Sequence, residues 1–316
     1  MRVDHSQSGL RTGEWICLIA LLITSLVFAT GSHAQAAHQK TYASPEEAVT
    51  ALVQAVKSHD RSAILATLGN ASAWIYSGDP VADGAAGGRF VAAYEAKHSI
   101  GMTGDSATLV LGNDDYPFAF PIVKKGDRWR FDTDAGKEEM LARRIGENEL
   151  DAIKVLQAIV DAQFEYASKD RNGDGVLDYA QKFASSPGKH DGLYWPTKEG
   201  ESPSPLGPLV SRAAAQGYKS KQTGPTPYHG YYYRLLKGQG KSAPSGALDY
   251  VVHGRAIGGF AVVAYPAKYA SSGIMTFIVN QEGKIYQTDL GPSTGVRAGA
   301  MKQFDPGEGW TPVAQR

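Results

Sequence analysis

Cysteine is nearly absent from this chain. The one residue, Cys17, lies within the first 36 positions. A chain cleaved after that segment has none, which excludes disulfides, thiol nucleophiles and thiolate metal sites. Charge of one sign is lacking too, because 32 Lys and Arg balance 32 Asp and Glu. That balance leaves no electrostatic footprint for nucleic acid or an anionic membrane. Beyond Thr30 no hydrophobic run is long enough to span a bilayer. H-E-x-x-H and His-x-His pairs are missing, which argues against zinc. No dinucleotide glycine spacing and no internal repeat is found. Gly238 to Ser242 ends like a phosphate loop but has Leu235 where the first glycine belongs.

What is present begins with an export address. Arg2 and Arg11 precede the apolar stretch Trp15 to Thr30, and Ser32-His33-Ala34 and Ala34-Gln35-Ala36 both fit a small-residue cleavage site. The expectation is a signal peptide over 1–36, and a mature protein in the periplasm or cell envelope. Length suggests two modest domains, over 41–133 and 134–316.

Ser44-Pro45-Glu46-Glu47 is a helix start, followed by the stripe Val49, Leu52, Val53 and Val56. Asp60 caps a second short helix that stops at Gly69. Residues 78–88 (GDPVADGAAGG) read as a loop by composition. Ala107 to Leu111 and a hairpin turning at Lys125-Gly126-Asp127 supply strands, with Pro121 demoting one of them to an edge or bulge. Helices followed by an antiparallel meander make this half α+β. Its pattern resembles the cone-shaped fold of nuclear transport factor and scytalone dehydratase.

Asp134 to about Ser168 reads as a long helix, bent or divided at Gly146. Ile153, Leu156, Val160 and Phe164 form one stripe and Val155 and Ile159 a second, so the helix is expected to be wrapped by protein. The prolines 203, 205 and 208 mark a crossing loop. Strands are expected over 231–237, 259–265, 274–280 and 284–290, with a tight turn at Glu282-Gly283. The long helix, its polar loop and the meander resemble the heads of type IV pilins and pseudopilins. The pilins' N-terminal assembly helix is not matched. The segments GDGVLDYAQKF (173–183), PGKHDGLYWP (187–196), SPLGPLV (204–210), GYYYRLLKGQG (230–240), GGFAVVAYPAKYASSGIMTF (258–277) and DLGPST (289–294) are similar to a bacterial exported family, domain-of-unknown-function family 2950. That resemblance implies a cell-envelope protein and no activity. The fold class expected overall is α+β: a cone-like helix-plus-meander domain, then a pilin-like helix on an antiparallel sheet.

Asp170, Asn172, Asp174, Val176 and Asp178 match the oxygen positions of a calcium loop, with Gln181 where a bidentate Glu belongs. The competing reading is a helix end and Asx turn. Tyr228, Tyr231, Tyr233 and Trp195 are candidates for an aromatic ligand surface, against simple β packing. His190-Asp191 suggests a polarised base, but no nucleophile beside it carries a signature, and a loop pinned by Tyr194 and Trp195 is the plainer reading. The leading expectation is a non-catalytic binding or scaffold protein, calcium-stabilised if the loop coordinates an ion. Its partner would be an envelope protein or polymer. The first alternative is an enzyme with its site in the cone or at the junction, where His98, Asp114 and Asp115 are candidates. The second is an accessory protein of a pilus or secretion system.

Overall fold

Ser44 Oγ accepts the amide of Glu47, and Pro45 takes the first helical position, so α1 runs Pro45–Lys57. Asp60 caps α2, Arg61–Leu68, in the same way. The computed structural model describes residues 39–70, 75–77, 79–171, 173–218 and 226–314. The expected signal peptide and Asn172 lie outside these. The protein is α+β.

A third helix, α3, spans Pro80–Ala96 and corrects the reading of 78–88 as a loop. Asp79 accepts the amides of Val81 and Ala82, and Pro80 follows it directly, so a cap and a proline outweigh the glycines behind them. Next come β1 (His98–Thr103), β2 (Ser106–Leu111), β3 (Tyr116–Pro117), β4 (Ile122–Lys125) and β5 (Arg128–Phe131). They form one antiparallel sheet in the order β1-β2-β4-β5, with β3 also on β2. Pro121 does not make β4 an edge. The strand simply starts after the proline and pairs on both sides.

Helix α4 is continuous over Thr133–Ala167, 35 residues, and Gly146 does not divide it. Its first half serves the first core, where Gly136 lies against Phe120 and Met140 joins Leu52, Leu109 and Ile122. Its second half serves the second core, where Val155, Leu156 and Ile159 meet Tyr231, Val262 and Phe277. Phe164 departs from the expected buried stripe: it is 47% exposed, its ring edge set against Tyr179 and Phe260.

Past the prolines, α5 spans Gly207–Ala215, a helix where only a loop is expected. Strands β6 (Tyr231–Leu236), β7 (Gly238–Gln239), β8 (Leu248–Asp249), β9 (Ala261–Pro266), β10 (Met275–Asn280) and β11 (Tyr286–Asp289) follow, then α6 (Thr294–Ala300), β12 (Gln303–Phe304) and β13 (Thr311–Pro312). The second sheet has the antiparallel order β13-β11-β10-β9-β6, and β12-β7-β8 form a third. Ala261, Val262, Val263 and Ala264 are all fully buried. Val262 and Ala264 face α4, while Ala261 and Val263 pack with Ala298 and Phe304 on the other side. A sheet covered on both faces requires such an unbroken apolar strand.

Candidate functional site: an apolar cavity with a half-buried arginine

Helix α3 is rich in alanine and glycine, and none of its residues is buried. Its small side chains cannot fill the space between α1, the first sheet and the start of α4. A cavity of about 760 Å³ remains there, mostly apolar, with Leu52, Val56, Phe90, Phe118 and Met140 in its wall. Beyond Gly87 the nearest atom to a would-be Cβ is Val56 Cγ1 at 3.6 Å. This volume suits a small organic ligand.

Polar groups gather at one end. Arg144 reaches in from α4, and its Nη2 donates to the Ile75 carbonyl at 2.9 Å. Its Nη1 is fully enclosed and meets no acceptor among the described residues. Burial pushes the guanidinium pKa down, with the charge of Asp83 acting against that shift. Asp83 is itself committed, accepting from the Ser77 amide at 3.1 Å and the Ser77 hydroxyl at 2.7 Å. Asp79 is 1% exposed. Besides capping α3 it accepts the Tyr218 hydroxyl at 2.8 Å and the Gly230 amide at 3.3 Å, tying α3 to the second half of the chain. Burial, then the bond to Asp79, pushes the Tyr218 pKa up. His229 Nδ1 lies 3.3 Å from Asp151, whose other oxygen takes Lys154 at 2.8 Å. Chemically, the arrangement can hold an apolar body against α1, the first sheet and α4, with polar groups at one end.

The family model described as "Protein of unknown function (DUF2950)" matches residues 39–313. The chain belongs to that family. No curated protein and no solved structure matches it, so neither the pilin-like nor the cone-like description has a solved counterpart here. For this DUF2950 chain, function therefore has to be argued from its own geometry.

That geometry corrects the aromatic surface. Tyr231 is fully buried, and its hydroxyl donates to the Met275 carbonyl at 2.9 Å. Trp195 is 8% exposed and stacks on His190 at 4.3 Å. Tyr228 and Tyr233 are half-buried against the same core. Alternate residues of β6 point to one face, and α4 covers the face that holds Tyr231 and Tyr233.

In the acidic loop, Asp170 accepts the amides of Gly173 at 2.8 Å and Gly175 at 2.7 Å. Asp174 accepts the Val176 amide and pairs with Arg255. Asp178 is half-buried, and burial followed by the charge of Asp170 pushes its pKa up. Among the described residues no group of three His, Cys, Asp or Glu could hold a metal ion. Asp191 accepts from Lys182 and from the amide and hydroxyl of Ser186, and the Lys182 bond holds its carboxyl well below the usual range. Its hydrogen bonds make it the fastener of its own loop.

Of the junction candidates, Asp114 borders the cavity, Asp115 pairs with Lys97 at 2.8 Å, and His98 stacks on Tyr94 at 3.8 Å. One nucleophile-like string does exist, Gly291-Pro292-Ser293-Thr294-Gly295, between β11 and α6. Ser293 has φ −89° and ψ 14°, without the strained turn that exposes such a serine, and no histidine hydrogen-bonds to it among the described residues. Sequence reasoning missed Asp79, Asp83, Arg144, Tyr218 and His229. Only Asp79-Pro80 carried a readable signal, as a helix start.

Proposed function

We propose that this protein is an exported, non-catalytic binding protein that holds a small apolar molecule in the cavity beneath α3. The observation that carries the reading is the space itself, about 760 Å³ with largely apolar walls. A pocket of this volume with mostly apolar walls and a few polar groups at one end is the usual form of a small-molecule site. Export is supported by the apolar run Trp15 to Thr30 with small residues after it. The acidic loop is read as a self-capped turn, since its Asp170 oxygens already serve backbone amides.

The test is titration with the apolar dye N-phenyl-1-naphthylamine. Wild-type protein should enhance its fluorescence saturably. Gly87→Phe, which places a ring in the cavity, should abolish that signal while leaving the melting temperature equal or higher. Wild-type protein that fails to take up the dye would sink the proposal.

A second reading keeps one observation of its own. His229 and Asp151 both border the cavity, and such a pair can move a proton. An enzyme built on it would give turnover lost in His229→Ala, whereas a binding protein keeps full dye affinity in that variant.

A further inference from the structure

We propose that strand β1 pairs with β1 of a second copy of this chain, joining two first sheets across a two-fold axis. The pairing does not depend on what the cavity holds. β1, His98–Thr103, is the last strand of its sheet, and five of its six residues are exposed. Its register with β2 shows which backbone groups are open. The Gly112 amide donates to the Lys97 carbonyl at 2.8 Å, so Lys97, Ser99, Gly101 and Thr103 turn their backbone groups toward β2. The N–H and C=O of His98, Ile100 and Met102 therefore point away from the sheet, and no backbone group meets them among the described residues. Such a row is a template for another strand, which proteins commonly blunt with charge, proline or a very short edge. β1 has none of these devices: its six residues include no Lys, Arg, Asp, Glu or Pro. Other edges are shortened or partly covered. Tyr42 exchanges both backbone hydrogen bonds with Trp129 on β5, Tyr228 does so with Tyr231 on β6, and β13 is two residues ending in Pro312.

The strand is complementary to itself. An axis centred on Ile100 sets His98 opposite the second copy's Met102 and Ile100 opposite its own counterpart, each pair exchanging two hydrogen bonds. Every outward-facing residue of β1 is then used on both copies. His98, Ile100 and Met102 share one side of the sheet, where Ile100 packs against the first core and Met102 lies 54% exposed. Pairing covers Met102 and brings the two isoleucines together. Charge agrees with this register. Lys97 precedes the strand in extended conformation, and the exposed Asp105 stands in the turn after it. Lys97 falls opposite the second copy's Thr103 and diagonal to its Asp105, within reach of a long side chain. Symmetry makes the contact twice. The intrachain partner of Lys97 is Asp115, in an exposed pair that holds it weakly. An unrelated peptide would match the open backbone, but the opposite charges at the two ends of β1 single out a second copy.

The test uses the compact unit Ala37–Arg316, which contains no cysteine. Sedimentation velocity over a concentration series should show a monomer passing to a dimer. Met102→Pro removes an amide that points away from β2, so it should abolish the dimer and leave the melting temperature near that of the wild type. Lys97→Glu should weaken dimerisation about tenfold, since two attractions become two repulsions, and adding Asp105→Lys should restore it. Cysteine variants read the register even if Met102→Pro does not fold. Ile100→Cys places two thiols across the axis with Cα atoms about 5.5 Å apart, within disulfide range. Met102→Cys places them roughly 14 Å apart, beyond it. Under mild oxidation the first should crosslink to a dimer and the second should not. A wild-type chain that stays monomeric throughout overturns the proposal and leaves the edge to an extended segment of another protein. Equal crosslinking by both cysteine variants, or a dimer that survives Met102→Pro, also overturns it by placing the contact elsewhere.

Discussion

Asp178 carries a cost that pH can reveal. Burial and the charge of Asp170 raise its carboxyl above the ordinary aspartate range. Below that range the group is protonated both folded and unfolded, and nothing is lost. As pH rises through the unfolded pKa and then the raised folded one, ionisation becomes dearer in the fold, and that penalty persists at neutrality. Asp178→Asn should therefore raise the melting temperature near pH 7 and leave it unchanged near pH 3. Bound calcium would reverse the sign, because the ion would compensate the carboxylate. The variant would then melt lower in calcium than the wild type, with the difference gone in chelator. Thermal melts with and without calcium decide between turn and ion. The acidic spacing was legible in the sequence, but the direction of its oxygens was not. Gly173 at φ 76° and Gly175 at φ 82° turn their amides onto Asp170, a backbone choice that the same residues would make in an ion loop. For the tyrosines, β propensity announced the strand, while the covering helix that buries Tyr231 lies some 70 positions earlier, out of reach of local pattern.

At the scale of elements, two glycines of α4 look alike in sequence and differ in surroundings. A Cβ on Gly136 would fall on the Phe120 ring and within 2.8 Å of its Cα. On Gly146 it would meet nothing within 4 Å. Helix propensity alone favours alanine over glycine by about 1 kcal/mol. Gly146→Ala should thus stabilise by roughly that amount, while Gly136→Ala should destabilise by about 1–3 kcal/mol as overpacking outweighs propensity. Chemical denaturation of both variants measures this, and two gains of equal size would mean that the close approach to Phe120 is absent. Elements with strong periodicity or clear caps were readable: α1, α2, α4 and the four long strands of the second sheet. Helix α3 was not, because its three glycines mask the start signal Asp79-Pro80. Its poverty in large side chains was evidence of a different thing, the cavity it roofs. That cavity could not be read at all, since it depends on α3 standing off a sheet that the chain forms only later.

For the molecule as a whole, α4 is the shared member of two cores. Its first turns hold Gly136 and Met140 in the first cluster, and its later turns hold Val155 to Tyr166 in the second. Asn148 and Glu149 sit between them, donating to the Ser272 carbonyl at 2.7 Å and accepting the amides of Ile274 and Met275 at 3.0 Å. Asp79 makes a second tie through Tyr218 and Gly230. A helix cannot melt in its first half without exposing the residues that the second core needs, because its hydrogen bonds form cooperatively along its length. The two halves should therefore unfold together. Hydrogen exchange read by mass spectrometry tests this: amides of β2 in the first core and β9 in the second should share the slowest opening. Gly136→Ala, a change confined to the first core, should then speed exchange at both strands by the same factor, because both report one global event. Acceleration at β2 with β9 unchanged would mean that the cores open separately and that α4 joins them only by passing between them.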